Sequence, residues 1–257
     1  MPSEEDIGAR LATARQGGPP VPLDLDADLA DLASAERVQA HAVAAYGDRV
    51  VGWKIGCTSA EAQRMMRCDR PFFGPLFEAN VYPSGATLAM TDKVRFAECE
   101  FAFRMRRAFP AVGEAATLAN LLAAVESCHP AIEIVGRRTV GESLPSIRSG
   151  IADFGLNVAF FHGPAIPRWR EVDLIAAPVI GKVDGVVVKE GVGGNALGDP
   201  RRALLWLATA LQARGRRLEA GDWISTGTCL NVLPVRRGAR ISGDYGPLGG
   251  VEMSFAA

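Results

Sequence analysis

Histidine and cysteine are scarce in this chain, and their placement excludes two common kinds of metal site. Three histidines occur, at positions 41, 129 and 162, and the five cysteines include no CxxC pair. A thiolate zinc site or a histidine-rich centre would find too few ligands at a suitable spacing. The odd number of scattered cysteines does not form a disulfide framework, which indicates a cytoplasmic location.

A charge excess and long apolar runs are absent as well. The 28 Lys and Arg residues balance 29 Asp and Glu, so no basic surface for nucleic acid is predicted. No apolar run approaches the roughly 18 residues of a membrane helix, and the acidic N-terminus, MPSEEDIGAR, is not a secretory signal. No G-x-S-x-G elbow indicates a serine hydrolase. With 48% hydrophobic residues over 257 positions, the chain can bury a full core.

Helical spacing of apolar residues dominates the beginning of the chain. It predicts helices over residues 7–14 and 29–46, followed by a strand over 49–56 that carries Lys54. Thr58, with Glu61 three residues later, predicts a capping box at the start of a short helix.

Alternating apolar residues and Gly or Pro breaks dominate the rest. They predict strands over 94–105 and 131–135 and a hairpin within 174–188 that turns at Asp184-Gly185. Asp199 as N-cap before a proline predicts a helix. We therefore expect a mainly helical N-terminal part, residues 1–80, with the lysine strand, and a β-rich core, residues 81–257, together forming one compact unit.

Two glutamates on one predicted strand face could share a cation. Because side chains alternate along a strand, Glu98 and Glu100 point the same way. A hard divalent ion such as Mg²⁺ or Mn²⁺ prefers oxygen ligands and would offset their repulsion. Glu133 lies in the apolar segment AIEIV and needs a partner of its own. The spacing alone leaves a second interpretation open, in which the pair faces solvent and Glu133 pairs with an arginine.

Two further features allow competing interpretations. Lys54, between Trp53 and Ile55, could be a buried reactive amine or could extend from a strand edge towards solvent. Residues 191–196, GVGGNA, have the G-x-G-x-x-A form of a dinucleotide fingerprint, but they follow a predicted hairpin rather than a parallel strand. A loop is the preferred interpretation of that segment.

An ordered series of motifs resembles the 2-keto-4-pentenoate hydratase branch of the fumarylacetoacetate hydrolase (FAH) superfamily. The resemblance extends from about residue 52 to the C-terminus. Its segments, in chain order, are GWKIGCTS (52–59), RPFFGPLFE (70–78), AECEFAF (97–103), PAIEIVGRR (130–138), IADFGLNVAFFHG (151–163), GDPRRALLWLA (198–208), AGDWISTGT (220–228) and YGPLGGVEMSF (245–255).

The resemblance implies an α+β fold, a mixed β-roll or sandwich of the FAH C-terminal-domain type with an α-helical N-terminal part. It implies one Mg²⁺ or Mn²⁺ held by Glu98, Glu100 and Glu133. It also implies a homo-oligomer acting on a small 2-oxo or 2-hydroxydienoic acid in the catabolism of aromatic compounds. In a hydratase of this kind, Lys54 supports the developing charge or moves a proton, and Glu78 is by position the assisting acid.

Substrate contacts are predicted at two glycines and two threonines. Gly193 and Gly194 would offer backbone donors to a substrate carboxylate, and Thr226 and Thr228 would line the same pocket. Turn geometry for the glycines and strand packing for the threonines are the competing interpretations.

Departures from the family pattern leave alternatives. The family hydratases tend to have Asp at position 78, and they usually have polar Asn and Ser where this chain has residues 154–157, FGLN. A 4-oxalocrotonate-like decarboxylase or a C–C bond hydrolase of the same superfamily is one alternative. A non-catalytic metabolite-binding protein is an alternative of another class.

Overall fold

The computed structural model of the protein describes residues 2–141 and 145–257. Its α-helices are α1 (Glu4–Arg15), α2 (Leu25–Asp28), α3 (Leu32–Tyr46), α4 (Ala60–Met65), α5 (Leu118–Ala124), α6 (Ile147–Ala152) and α7 (Pro200–Gln212). Its strands are β1 (Val50–Gly56), β2 (Phe72–Phe77), β3 (Val81–Pro83), β4 (Thr87–Leu88), β5 (Val94–Met105), β6 (Val125–Gly136), β7 (Asn157–His162), β8 (Pro178–Val183), β9 (Val186–Val192), β10 (Trp223–Pro234), β11 (Arg240–Asp244) and β12 (Gly250–Phe255).

The strands form two mixed sheets. The larger has the order β2-β1-β10-β5-β6-β7-β3, and the smaller has the order β4-β12-β11-β8-β9. Parallel pairs, such as β1 with β10 and β3 with β7, occur beside antiparallel ones such as β5 with β6. The expected α+β class with mixed sheets is confirmed.

The main core lies between the two sheets and α7. Alternate residues of β5, Cys99, Phe101 and Phe103, are fully buried there. Since strand side chains alternate, this orientation turns Glu98 and Glu100 to the opposite face of the sheet. The packing of β5 therefore determines where its glutamates can lie.

A second core joins the N-terminal helices to the sheet. Apolar residues of α1 and α3 pack with Phe72 and Phe77 of β2 and with Phe154, which precedes β7. The regular elements within residues 2–80 are helices apart from β1 and β2. These two strands pair with each other, and β1 also pairs with β10. Both strands thus belong to the sheet that carries the two glutamates.

Several helices, strands and turns predicted from the sequence occur in the structure, with ends that differ from the predicted ones. The Asp184-Gly185 turn joins β8 to β9, and Asp199 caps α7 by accepting the Arg201 backbone N–H, both as predicted. The capping residue predicted at Thr58 is wrong: Ser59 caps α4, accepting from the Ala62 N–H. Among the described residues, no helix combines the length and apolarity needed to cross a membrane.

Candidate metal and active site

Three glutamates meet on the face of the large sheet opposite the main core. Glu98 of β5 is directly opposite Glu133 of β6 in the antiparallel register, and Glu100 lies two residues along β5. Carboxylate oxygens of the three residues all lie within 4.8 Å of one another. Glu100 and Glu133 are fully buried and Glu98 is half-buried. The solvated-face interpretation of the pair is therefore wrong.

Hydrogen-bond donors of the protein contact one carboxylate oxygen of Glu100 and one of Glu133. The Ser225 hydroxyl and the Gly227 backbone N–H donate to Glu100 Oε2, the latter at 2.7 Å. Asn157 Nδ2 donates to Glu133 Oε1 at 2.9 Å. Glu100 Oε1 is buried and has no hydrogen-bond partner among the described residues. These donors fix the carboxylate orientations and leave buried acceptor capacity within the cluster.

Lys54 is buried beside the same carboxylates. Its side chain is 3% exposed, and its Nζ lies 3.3 Å from Glu133 Oε2. In the strand register Lys54 pairs with Gly74 of β2 and Ser225 of β10. The structure therefore agrees with the buried amine and contradicts the interpretation in which Lys54 reaches solvent.

Burial and mutual repulsion dominate the electrostatics of the cluster. Burial raises the pKa of Glu98 to about 7, and burial with the neighbouring carboxylates raises the pKa of Glu100 well above its usual range. Burial also raises the pKa of Glu133, against the opposing effect of Lys54. Burial alone would lower the pKa of Lys54, but the three carboxylates raise it above its ordinary value.

A divalent cation fits this donor set. Three ionised carboxylates and one ammonium leave a formal charge of about −2, which a divalent ion would neutralise. Carboxylate oxygens are the ligands that Mg²⁺, Mn²⁺ and Ca²⁺ prefer, and the unpartnered oxygen of Glu100 is available to such an ion. Glu98, Glu100 and Glu133 are thus the residues that could hold a metal.

Residues 154–157 form a turn that contacts the glutamate cluster through Asn157. Phe154, Gly155 and Leu156 all have left-handed backbone conformations, with φ of 53°, 65° and 63°. Gly155 lies against Gly74, where a Cβ on either glycine would meet backbone atoms closer than 3.0 Å. This turn brings Asn157 within reach of Glu133. The segment that departs from the family pattern therefore supplies a positioning contact of its own.

Two arginines hold Asn157 in turn. Arg15 Nη1 and Arg138 Nη1 donate to the Asn157 backbone carbonyl at 2.5 and 2.7 Å. Arg138 also forms a buried ion pair with Asp153 at 2.5 Å. Because residues behind metal ligands orient those ligands, α1 contributes to the cluster through Arg15.

Glu78 does not join the cluster, so the structure gives no support to its predicted role as the assisting acid. It follows the end of β2, four residues beyond Gly74, which is the strand partner of Lys54. Its side chain is 54% exposed and forms an ion pair with Arg49, which lowers the pKa of the carboxyl group. Strand rise places the two positions roughly 13 Å apart along β2.

The predicted substrate contacts divide into two groups. Gly193 and Gly194 donate their backbone N–H groups to the carbonyls of Ala177 and Ile175, so neither amide is available as the predicted carboxylate donor. Thr226 is fully buried, and its hydroxyl donates to the Phe101 carbonyl. Gly194 and Thr228 both line an open cleft of about 500 Å³.

The dinucleotide interpretation of residues 191–196 is wrong, because β9 pairs antiparallel with β8 and no α-helix begins there.

Sequence reasoning missed Ser225, Gly227 and Asn157 as positioning residues. The signal for Ser225 was its adjacency to Thr226 in the STGT segment, but strand register was needed to see which side chain faces Glu100. Pairing shifts between Ser225 and Thr228, so simple alternation along β10 does not identify the inward residues.

The raised pKa values predict how the metal-free protein responds to pH. Between pH 4.5 and about 7 the folded state holds protons on Glu98 that the unfolded chain releases. The contribution of such groups to stability is greatest below the unfolded pKa and is lost as pH rises through the folded pKa. We expect the melting temperature in chelator to fall from pH 5 to pH 8. We also expect added Mg²⁺ to raise the melting temperature by more at pH 8 than at pH 5. Equal metal effects at both pH values in thermal melts would contradict this expectation.

Comparisons with known proteins identify relatives along almost the whole chain. The chain is 34% identical to 2-keto-4-pentenoate hydratase 2 of Dechloromonas aromatica over 257 residues, 98% of this chain and 97% of the relative. It is 32% identical to the TodF product hydratase of Pseudomonas putida over 232 residues, 90% and 85% of the two chains. No family model matches the chain.

Solved structures extend the comparison to the fold. The 4-oxalocrotonate decarboxylase from Pseudomonas putida G7, complexed with magnesium and adipate, superposes with a TM-score of 0.86 at 26% identity and covers 99% of both chains. Fumarylpyruvate hydrolase from Pseudomonas aeruginosa, in complex with Mn²⁺ and pyruvate, shares the fold with a TM-score of 0.59 at 18% identity, covering 81% and 90%. The fold is that of the FAH superfamily. Within it, the chain belongs to the 2-keto-4-pentenoate hydratase family.

Proposed function

We propose that this protein is a metal-dependent hydro-lyase that adds water to a 2-hydroxy-2,4-dienoate in the catabolism of aromatic compounds. The observation that carries the proposal is the buried trio Glu98, Glu100 and Glu133 with the Lys54 ammonium 3.3 Å from one of its oxygens. Hydratases 32–34% identical over 90–98% of this chain support the reaction class.

The reaction needs charge stabilisation at one end of the substrate and proton transfer along it. The dienol is first ketonised by a proton at its terminal carbon, and water then adds to the double bond conjugated with the 2-oxo group. A divalent metal, when bound, supplies Lewis-acid stabilisation of the enolate oxygen. Glu98, Glu100 and Glu133 would hold that ion, and we propose Mg²⁺ or Mn²⁺, since the neighbouring structures contain calcium, magnesium or manganese.

The Lys54 ammonium, 3.3 Å from Glu133 Oε2, supports a cationic role for this residue in the reaction. Its ammonium, kept charged by three carboxylates, can stabilise the developing enolate charge and hold or return a proton at Nζ. The Phe72 ring lies 5.5 Å from Nζ, measured to the ring centroid, and it limits the access of water to the ammonium. Because Glu78 lies outside the cluster, we assign the proton-transfer role to Lys54.

Decarboxylation of a 2-oxo acid is the second candidate. The observation in its favour is the likeness to 4-oxalocrotonate decarboxylase along the whole chain. A cluster of cations near Arg70 or Arg137 would favour it further. Arg70 is exposed and pairs with Asp69, and Arg137 is buried. The presence of Lys54 and all three glutamates disfavours a non-catalytic binding protein. A homo-oligomer and a cytoplasmic location stay predictions.

The loss of ultraviolet absorbance of 2-hydroxypenta-2,4-dienoate tests the proposal. We expect turnover with Mg²⁺ or Mn²⁺ and its loss in EDTA, restored by added metal, with a 4-hydroxy-2-oxo acid as product. Release of CO₂ from a substrate with a second carboxylate, without hydration of the dienoate, would favour the decarboxylase. No turnover of any dienoate with metal present would contradict the proposal.

A further inference from the structure

A polar cleft opens beside the three glutamates. The role inferred for it below rests on the proposed function. Its volume is about 500 Å³, within the usual range for small-molecule sites. Three segments form it: the start of α4, over residues 58–63, the loop over 194–198, and β10 over 228–231.

The strand register places the cleft next to the metal ligands. Thr228 is the β10 partner of Glu100, and Val232 is the partner of Glu98. Three residues of β10 thus lie opposite the single residue Cys99 of β5, and this irregularity bends β10 away from regular pairing. The cleft wall over 228–231 is that irregular stretch, so the cleft adjoins the ligand-bearing part of β5.

Thr58 supplies an independent sign that something binds here. Its hydroxyl oxygen is buried and has no hydrogen-bond partner among the described residues, and Thr58 as a whole is 3% exposed. It packs on Gly227, where an added Cβ would lie 1.9 Å from Thr58 Oγ1. Gly227 in turn donates its N–H to Glu100. A buried hydroxyl without a partner in the wall of a cleft is expected to bond a ligand or water there.

The charge of the cleft is negative. Among its lining residues in the described parts of the chain, Glu61 is the one ionisable side chain. Its carboxylate accepts a hydrogen bond of 2.6 Å from Asn231 Nδ2, which joins α4 to β10 across the cleft. Asn231 has a left-handed φ of 68°, so the backbone there is arranged for this contact. None of the lining residues that the structure describes offers a cation to a second carboxylate.

We propose that this cleft receives the tail of the substrate and that Glu61 selects for 2-hydroxydienoates with an uncharged tail. The metal and Lys54 bind the 2-oxo acid end, which all candidate substrates share. A carboxylate at the far end would enter a cleft that contains a like charge and no compensating cation. Glu61 is thus a specificity-determining residue that separates monocarboxylate from dicarboxylate substrates.

Coulomb repulsion sets the expected size of the effect. Two unit charges about 7 Å apart, in a solvent-accessible cleft of effective dielectric constant about 40, alter a binding constant roughly three- to tenfold. Salt screens such a contribution, so the selectivity is expected to shrink as ionic strength rises. A purely structural role for Glu61 would produce no such salt dependence.

Binding of two unreactive acids to the full-length protein loaded with Mg²⁺ tests the proposal. The probes are 2-oxopentanoate and 2-oxohexanedioate, which share the chelating end and differ by a tail carboxylate, with affinities measured by calorimetry. We expect Glu61→Gln, which can still accept from Asn231, to strengthen diacid binding three- to tenfold relative to the monoacid, and Glu61→Lys to strengthen it further. Glu190→Gln, an exposed charge change on β9, is the matched control and should leave the ratio unchanged.

The outcomes separate this inference from the proposed function. An unchanged diacid-to-monoacid ratio in both Glu61 variants, or a wild-type ratio insensitive to salt, overturns the specificity role while binding itself still supports the site. Failure of both acids to bind the loaded wild-type protein contradicts the proposed function and this inference with it. Hydration of the dienoate is assayed separately and does not enter the comparison of ratios.

Discussion

Glu133→Gln is expected to lower metal affinity by more than about 100-fold, the upper end of losses seen when only the residues behind the ligands are changed. The substitution keeps the size of the side chain and removes its charge. Folding should survive, because removing one of three crowded buried carboxylates relieves repulsion in the metal-free state. The melting temperature in chelator should therefore be equal to or higher than that of the wild type.

Metal bound per chain, measured by elemental analysis and by calorimetric titration, checks this result. Glu126→Gln is the matched control, since Glu126 lies on the same strand, β6, but its side chain is 55% exposed. Glu98→Gln should behave as Glu133→Gln does. Unchanged metal content in both ligand variants would refute the ligand assignment.

Lys54→Met is expected to lower kcat for dienoate hydration by about 10²- to 10⁴-fold, the usual contribution of a positioned acid–base group. Metal affinity should stay the same or rise, because the substitution removes a positive charge 3.3 Å from Glu133. The combination of lost turnover and retained metal distinguishes a role in the reaction from a role in holding the ion.

Initial rates with saturating Mg²⁺, with metal titrations on the same samples, measure both quantities. Lys189→Met, an exposed substitution on β9, is the control and should leave both unchanged. A kcat within threefold of the wild type would contradict the role of Lys54. A loss of metal binding equal to the loss of turnover would show that Lys54 acts through the cluster alone.

Strand alternation made the glutamate cluster predictable in part. A period of two places Glu98 and Glu100 on one face whatever the fold, and the structure agrees. Joining them to Glu133 needed either the register of β5 with β6 or the motif series, because Glu133 lies 33 positions after Glu100 in the sequence. Pattern alone could not distinguish a solvated face from a buried one.

Contacts between segments that are distant in the chain could not be predicted from the sequence. The amide of Asn157 reaches Glu133 only because three left-handed residues precede it, and no local pattern in FGLN indicates that turn. Glu78 shows the converse case: its position in a motif predicts a catalytic role, which stays a prediction, while the end of β2 carries the side chain to the surface. The sequence pattern predicts Glu61 as part of a helix cap, whereas its carboxylate accepts a hydrogen bond from Asn231 across a cleft.

The most direct test of the central claim is anomalous diffraction from crystals of the protein grown with Mn²⁺ and 2-oxopentanoate. We predict one strong manganese peak per chain, with oxygens of Glu98, Glu100 and Glu133 about 2.1 Å away and the 2-oxo acid completing the coordination. A peak at another position, or no peak at saturating Mn²⁺, would contradict the account.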